Sequence, residues 1–493
     1  MADRPNILLV VSDQERQRGW IPPGLTLPHR QRLIDGGLEF TRHYTHSSPC
    51  SPSRASLLTG RYVAQHGVTD NVIFPAHREL DPAIPTLGSI LRAAGYRTSY
   101  VGKWHLSHAV EPDLEAYGFS DWRGNDRHFM GWAGTGWQYD PIIAEQGVEW
   151  LDANAGATDR PWFLVVALVN PHDVMWFPID QPSYQAEHRE EFELARSFLA
   201  AAAWKEDDPL PAFSEQYDEV FDELPESFDD DLFTKPAVHR QWLYEQQHTL
   251  YGRIDRDDKH AWLRHLDYYW RLHQEGDKNL GAILDALDAS GRADDTAVIF
   301  TSDHGDMCGS HGLRSKGPFV YEEIMRVPLY VRVPGVTSPG TTTDALGTHV
   351  DLARTVASLA GADDPSLAGQ DLLPSLREPS TPGRDAVLLA QDSAWYESCI
   401  PLRYAMRAVY DGRYKYARYY GVGGSFDRMG RPSQHPKQVD VDADFEDHDH
   451  ELYDLHEDPH ELVNLANDHG RRREVREWFN RLRDEEAREF GSG

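Results

Sequence analysis

The sequence predicts an α/β fold in which a sheet lies between layers of helices. Three observations carry this expectation. Uninterrupted apolar runs at Ile7 to Val11, Phe163 to Val169 and Ala297 to Thr301 have the character of strands buried on both faces. Helix-like stretches separate them, as crossover connections require. Each run ends in polar residues, Ser12-Asp13-Gln14, Asn170-Pro171-His172 and Ser302-Asp303-His304, at the carboxyl ends where open α/β sheets place their sites.

Taken in order, the strand at Ile7 to Val11 is followed by a turn-rich stretch. Ile84 to Ala94 reads as a helix, and Thr98 to Val101 as a short strand ending in Gly102-Lys103-Trp104-His105. From about Asp180 to Lys259 the chain turns acidic and aromatic. This segment is read as an insertion, either a lid over the site or a solvated elaboration. A helix over roughly His265 to Ala289 leads back to the strand before Ser302. After Pro374, a linker with Pro379, Pro382 and Gly383 precedes short aromatic strands at Ala405 to Tyr410 and Tyr414 to Tyr419. Glu451-Leu452-Tyr453-Asp454-Leu455, a turn with Pro459 and a charged helix to about Phe490 close the chain. The expected organisation is a catalytic domain over 1–375, with the insertion at about 180–260. A smaller α+β subdomain, an antiparallel sheet with a terminal helix, follows over 376–493.

Composition narrows the function. With 40% hydrophobic residues, 14 Trp and 22 Tyr, the 493-residue chain has ample apolar surface to bury. A formal net charge of −31 excludes a broad nucleic-acid or anionic-membrane surface, so an anionic substrate must meet a local positive site. No run approaches the roughly 18 apolar residues of a membrane span. The opening residues lack the parts of an export signal, so the expectation is a cytoplasmic protein. Cys50, Cys308 and Cys399 are too few and too scattered for a disulfide framework or a zinc cluster.

The most informative segment runs from Pro49 to Arg61, PCSPSRASLLTGR. In this composition chance yields only about 0.02 matches to its Cys-x-Pro-x-Arg core. A free cysteine is ordinarily a small buried hydrophobe, which suits Cys399 and Cys308. Around Cys50, however, Pro49 and Pro52 restrict the chain, Arg54 supplies a fixed positive charge, and Ala55 to Leu58 can begin a helix whose N-terminus would attract an anion. Asp13, Asp303 and His304, at strand ends, are of the types that gather around a divalent cation, although a lone Asp after a strand is more often a turn former.

The segment Cys50 to Arg61 resembles the signature of the type I sulfatases of the alkaline phosphatase superfamily. The resemblance extends through Asn6 to Asp13, Gly102 to Leu106, Thr301 to Asp306 and Glu451 to Leu455. It implies an alkaline-phosphatase-like sandwich with a large mixed sheet, and oxidation of Cys50 to formylglycine by a formylglycine-generating enzyme. As an aldehyde hydrate, residue 50 would offer one hydroxyl to attack sulfur and another to expel sulfate. The resemblance further implies a divalent metal on Asp13, Asp303, His304 and an oxygen of residue 50, with Ca2+ expected first and Mn2+ or Mg2+ as alternatives.

Gln14 stands where a second Asp is commonest, and His304 where Asn is frequent. This Asp-Gln and Asp-His combination resembles the branch of choline sulfatases and phosphonate monoester hydrolases. Gln14 is accordingly either an amide-oxygen ligand or a hydrogen-bond donor to substrate. Lys103, His105, His172 and Lys316 fall where the family has catalytic basic residues. Lys103 and Lys316 would bind sulfate oxygens, Lys316 and His172 would serve the leaving oxygen, and His105 would be the base that releases sulfate. His311 is a weaker alternative for that base. Asn71 resembles a substrate-contacting asparagine of the same branch, and a turn asparagine reads equally well. Trp104, Trp122, Trp132, Trp137 and Trp176 line a pocket or simply pack.

The expected substrate is a small-molecule or carbohydrate sulfate ester, with phosphonate monoesters or phosphodiesters as the alternative. A binding protein on a degenerate fold would have broken catalytic positions, and apart from Gln14 this chain keeps them. No nucleic-acid or membrane partner is expected, and a homo-oligomer is compatible with this reading.

Overall fold

The computed structural model describes residues 4–73, 77–108, 113–124, 131, 133–156, 160–194, 217–246, 251–362, 364–395, 402–420 and 441–490. Cys399 and Trp132 lie outside the described residues.

The strands, in chain order, are β1 (Asn6–Asp13), β2 (Leu38–Phe40), β3 (His43–Tyr44), β4 (Arg97–Gly102), β5 (Trp162–Pro171), β6 (Thr296–Ser302), β7 (Leu329–Arg332), β8 (Thr341–Thr343), β9 (Gly347–Thr348), β10 (Val387–Trp395), β11 (Leu402–Tyr410), β12 (Tyr414–Tyr420) and β13 (Asp449–Asp454). Seven of them form a mixed sheet in the order β4-β5-β1-β6-β7-β2-β8. The first four are mutually parallel, and β7 runs against both β6 and β2. The polar ends of β4, β5, β1 and β6 therefore emerge side by side at one edge, which is what positions the site.

Alternation along β1 explains its apolar run. Ile7, Leu9 and Val11 face a core with Leu57, Leu58, Leu91 and Val356, whereas Leu8 and Val10 face Ile143, Leu151, Ile283 and Leu287 on the opposite side. Both faces are covered by helices, so no polar alternation is needed. One layer holds the helices Cys50–Thr59, Leu87–Ala93 and His349–Leu359, and the other holds Thr135–Asn154 and Lys259–Ala289.

Lys259–Ala289 begins six residues before the expected start. The Asp258 side chain accepts from the Ala261 amide at 3.0 Å, and Trp262 is buried in the added turn. The two- to four-residue strands β2, β7, β8 and β9 are too short to show a period in sequence. In the described parts of the insertion, Leu232, Trp242, Tyr251 and Ile254 are buried, so these parts are packed elements and not a merely solvated surface.

Strands β10 to β13 form an antiparallel sheet in sequential order. The terminal helix Arg472–Phe490 packs on it through Val475, Phe479 and Leu482. Among the described residues, no helix is long and apolar enough to cross a membrane.

Candidate active site

The helix Cys50–Thr59 is buried along its whole length, with Cys50 as its first residue. It stops at Gly60, where φ is 61° and a Cβ would run into Leu367. Its first turn is fastened at both sides. The Ser51 amide donates to Asn71 Oδ1 at 3.0 Å, and Ser51 Oγ donates to the His105 carbonyl at 2.6 Å. Ser53 Oγ donates to the Asp303 carbonyl at 2.5 Å. The N-terminus of this helix is thereby held against the ends of β4 and β6.

Four potential ligand atoms, from Asp13, Cys50, Asp303 and His304, lie within 4.8 Å of one another, and all four residues are buried. Cys50 Sγ is 3.3 Å from His304 Nε2 and 3.6 Å from Asp13 Oδ1. His304 Nδ1 is 2.9 Å from the Gly305 carbonyl, an acceptor, so Nδ1 carries the proton and the Nε2 lone pair faces the cluster. Two carboxylates, an imidazole lone pair and the side chain of residue 50 are a donor set that fits a divalent cation.

Cations surround this cluster. Arg54 Nη2 donates to Asp13 Oδ2 and Arg54 Nε to Asp303 Oδ2, each at 2.9 Å. Lys103 Nζ lies 2.6 Å from Asp13 Oδ2. Asp303 Oδ1 accepts the amides of Gln14 at 3.0 Å and His304 at 2.9 Å. Lys316 Nζ is 3.3 Å from Cys50 Sγ and donates to Gln14 Oε1 at 2.5 Å, and Lys103 Nζ is 3.9 Å from the same sulfur.

Burial raises the Asp13 pKa, but Lys103, His172, Arg54 and Lys316 together outweigh it and hold that carboxyl well below the usual range. For Asp303, burial and the charge of Asp13 prevail and push it up. The pair thus resists holding two negative charges without a cation. Burial and Asp13 also push the Cys50 thiol up to about 11. His105 is held well below the usual imidazole range by burial, then by Lys103 and Arg54. For His172 the causes are burial, Lys316 and Lys103.

The structure brings Asp13, Gln14, Cys50, Arg54, Lys103, Asp303, His304 and Lys316 into one contact network. His105 and His172 stand within electrostatic reach of it. The His172 ring lies so close to Gly131 that a Cβ there would strike it. Asn71 serves as acceptor for the first helical amide after Cys50. His311 is engaged elsewhere, with Nδ1 2.7 Å from Asp230 Oδ2 and its ring stacked on Tyr321. Trp104 packs against Tyr100, Tyr117 and Phe119, and Trp176 against Tyr251. Trp122 donates to the Gly102 carbonyl and Trp137 to Tyr268, so both make internal contacts.

Sequence reasoning missed two supports. Tyr269, on the helix Lys259–Ala289, donates to the Gln14 carbonyl at 2.6 Å and accepts from the Arg16 amide at 3.1 Å, fixing the turn after β1. Asp306 accepts from Gln14 Nε2 at 2.5 Å. Asp306 stood in the quoted run Thr301 to Asp306 without a role, and nothing in sequence marked Tyr269.

A mixed α/β sandwich with a buried cysteine, a donor set that fits a divalent cation and flanking lysines is suited to the hydrolysis of anionic esters. A sequence profile of the sulfatase family matches residues 5–362, and the C-terminal profile of N-sulphoglucosamine sulphohydrolase matches residues 309–440. The chain belongs to the sulfatase family and is a sulfuric ester hydrolase. It is 28% identical to a choline-sulfatase of Rhizobium meliloti (strain 1021) over 94% of this chain and 82% of the relative. It is 25% identical, with the same coverage of both chains, to an N-acetylglucosamine-6-O-sulfatase of Bacteroides thetaiotaomicron. The crystal structure of the phosphonate monoester hydrolase of Agrobacterium radiobacter shares the fold, with a TM-score of 0.69 and 22% identity over 99% of this chain and 96% of that one.

Proposed function

We propose that residue 50, carried as formylglycine made from Cys50 by a formylglycine-generating enzyme, is the nucleophile of this sulfatase. The substrate is a small-molecule or carbohydrate sulfate ester. The observation that carries the reading is the position of Cys50 Sγ inside the donor cluster, within 4 Å of both Lys103 and Lys316. Carried as the hydrated aldehyde, residue 50 supplies an oxygen nucleophile that a thiol cannot.

Asp13, Asp303 and His304 would hold the cation, with Gln14 Oε1 as a further oxygen donor. Calcium is proposed, and the nitrogen donor of His304 makes manganese the ion to test against it. Arg54 neutralises the two carboxylates and keeps them in place. Lys103 and Lys316 bind the anionic oxygens of the sulfate group. His172, kept neutral beside these lysines, offers an N–H to the leaving oxygen. His105, neutral for the same reason, accepts the proton in the step that releases sulfate.

Mass spectrometry of the peptide containing residue 50 tests the nucleophile. The expected mass is that of the cysteine peptide with its sulfur and a pair of hydrogens exchanged for an oxygen atom, and a fully active protein with unmodified cysteine would overturn the reading. Chelation should abolish activity and added calcium or manganese restore it, because Asp13 and Asp303 otherwise repel one another. Full activity without metal would contradict that part. A second reading, phosphonate monoester hydrolysis, is supported by the fold shared with the phosphonate monoester hydrolase of Agrobacterium radiobacter. Comparing kcat/KM for an aryl sulfate, choline sulfate and an aryl phosphonate monoester decides between them.

A further inference from the structure

We infer that Asp306 is a positioning residue that fixes which end of the Gln14 amide faces Lys316 and the cation donors. An amide side chain has two nearly isosteric orientations, and the torsion that exchanges its oxygen and nitrogen is broad and two-fold. Its neighbours must therefore choose between them. Lys316 has only donors, so it accepts the oxygen end alone, and the opposite end must meet an acceptor. Asp306 Oδ2 is that acceptor, 2.5 Å from Gln14 Nε2, while Gln14 Oε1 takes the Lys316 ammonium at 2.5 Å.

Asp306 is held in turn by its other oxygen. Oδ1 accepts the Cys308 amide at 2.7 Å and the Ser315 amide at 3.2 Å, and the whole side chain is buried. The carboxylate thus clamps both ends of the loop 306–315 with one oxygen and orients Gln14 with the other. A neutral amide at position 14 needs this partner, whereas a carboxylate there would be symmetric and need no choice of end. Asp306 is in effect the negative charge moved one side chain away from the donor group, leaving Gln14 Oε1 as the atom presented to it.

The inference rests on the reading of Gln14 and Lys316 as parts of the metal and sulfate site. Its test therefore uses metal affinity, which stays interpretable even if residue 50 proves unmodified. Mn2+ binding to the chelator-stripped full chain is titrated by electron paramagnetic resonance in the wild type, Asp306→Asn, Gln14→Leu and the double variant. Asp306→Asn keeps Oδ1 for both backbone amides and replaces only Oδ2 by an NH2, which faces the Gln14 NH2 and turns that amide over. The expected loss of Mn2+ affinity is about tenfold, the usual size for an outer partner of a ligand. In the Gln14→Leu background the same substitution should cost nothing further.

An equal loss in both backgrounds would show that Asp306 acts only through the loop, and would overturn the inference. Unchanged Mn2+ affinity in Asp306→Asn would do the same. Near-UV circular dichroism checks folding. If Asp306→Asn does not fold, Gln14→Asn replaces it, since it withdraws the amide from Asp306 while leaving both backbone amides satisfied. A comparable loss of affinity is expected there, and none would refute the proposal.

Discussion

Asp13 shows what the site asks of single residues. Its Oδ2 takes both Arg54 and Lys103, and its Oδ1 faces Cys50, so one buried carboxylate is shared by structure and chemistry. Cys50, by contrast, anchors no ion pair among the described residues. Cys50→Ala should therefore leave thermal stability nearly unchanged while abolishing turnover, as measured by sulfate release. Activity above about a hundredth of wild type would sink a covalent mechanism, since a bound water does not match a positioned nucleophile. His105 and His172 are separable by transient kinetics. If His105 serves the release of sulfate, His105→Ala should liberate one equivalent of alcohol and then slow sharply. His172→Ala should show no burst, and its defect should grow with the basicity of the leaving alcohol, because a good phenolate leaving group needs little help. Equal losses across leaving groups, with no burst in either variant, would mean these assignments are wrong.

At the scale of elements, the site is the common edge of four parallel strands, and this much was legible in sequence. The apolar runs of β1 and β6 ended in the residues that now meet, and that of β5 ended in His172, within electrostatic reach of them, because side chains just past a strand emerge at that edge. What could not be read were supports supplied from distant segments, such as Tyr269 under Gln14, or Asp140 under the end of β5. Asp140 belongs to the helix Thr135–Asn154 and accepts the amides of Val169 at 2.6 Å and Asn170 at 2.8 Å, just before His172. Nothing local to Asp140 announces a partner 30 residues on. Burial raises its carboxyl to about 8, with Asp173 and Asp13 adding to the effect against the two amides. A folded-state pKa above the unfolded one means that the native protein binds more protons. This stabilising contribution is full below about pH 4 and is lost as pH rises toward 8. Urea unfolding should thus show stability falling between about pH 5 and pH 8. Asp140→Asn should be weaker at the acid end of that window, having one acceptor oxygen for two amides, yet lose less on going to the alkaline end. An unchanged slope would assign the titration to other buried carboxyls, among them Asp173, raised to about 7, and Glu461, raised to about 8.

The whole molecule is tied together where the C-terminal sheet meets the turn Glu322–Met325. Lys415, buried on β12, reaches Glu322 and Glu461 at 2.9 Å each and the Val320 carbonyl at 2.8 Å. That same turn gives its Ile324 carbonyl to the Gly305 amide and its Met325 carbonyl to the Thr45 amide, each at 2.8 Å. Thr45 in turn donates to Ser53 of the Cys50 helix at 2.9 Å. The ammonium of Lys415 thus helps the C-terminal sheet brace both the His304 loop and the Cys50 helix, alongside the Ala390 amide of β10, which donates to the His46 carbonyl at 2.8 Å. No local period records this arrangement, since Lys415 in sequence is one more charged residue in an aromatic strand. Removing the ammonium leaves Glu322 and Glu461 buried together. Glu461 already sits at about 8 through burial even with Lys415 present, and it would be neutralised outright. Lys415→Met should cost about 3–5 kcal/mol, the usual penalty for orphaning a buried partner. Because the two sheets share this seam, unfolding should remain one transition, with tryptophan fluorescence and far-UV circular dichroism coincident at a lower urea midpoint. An early transition of the C-terminal sheet alone, with metal affinity intact, would show that the sheet is an appendage and that the site is braced from within the larger domain.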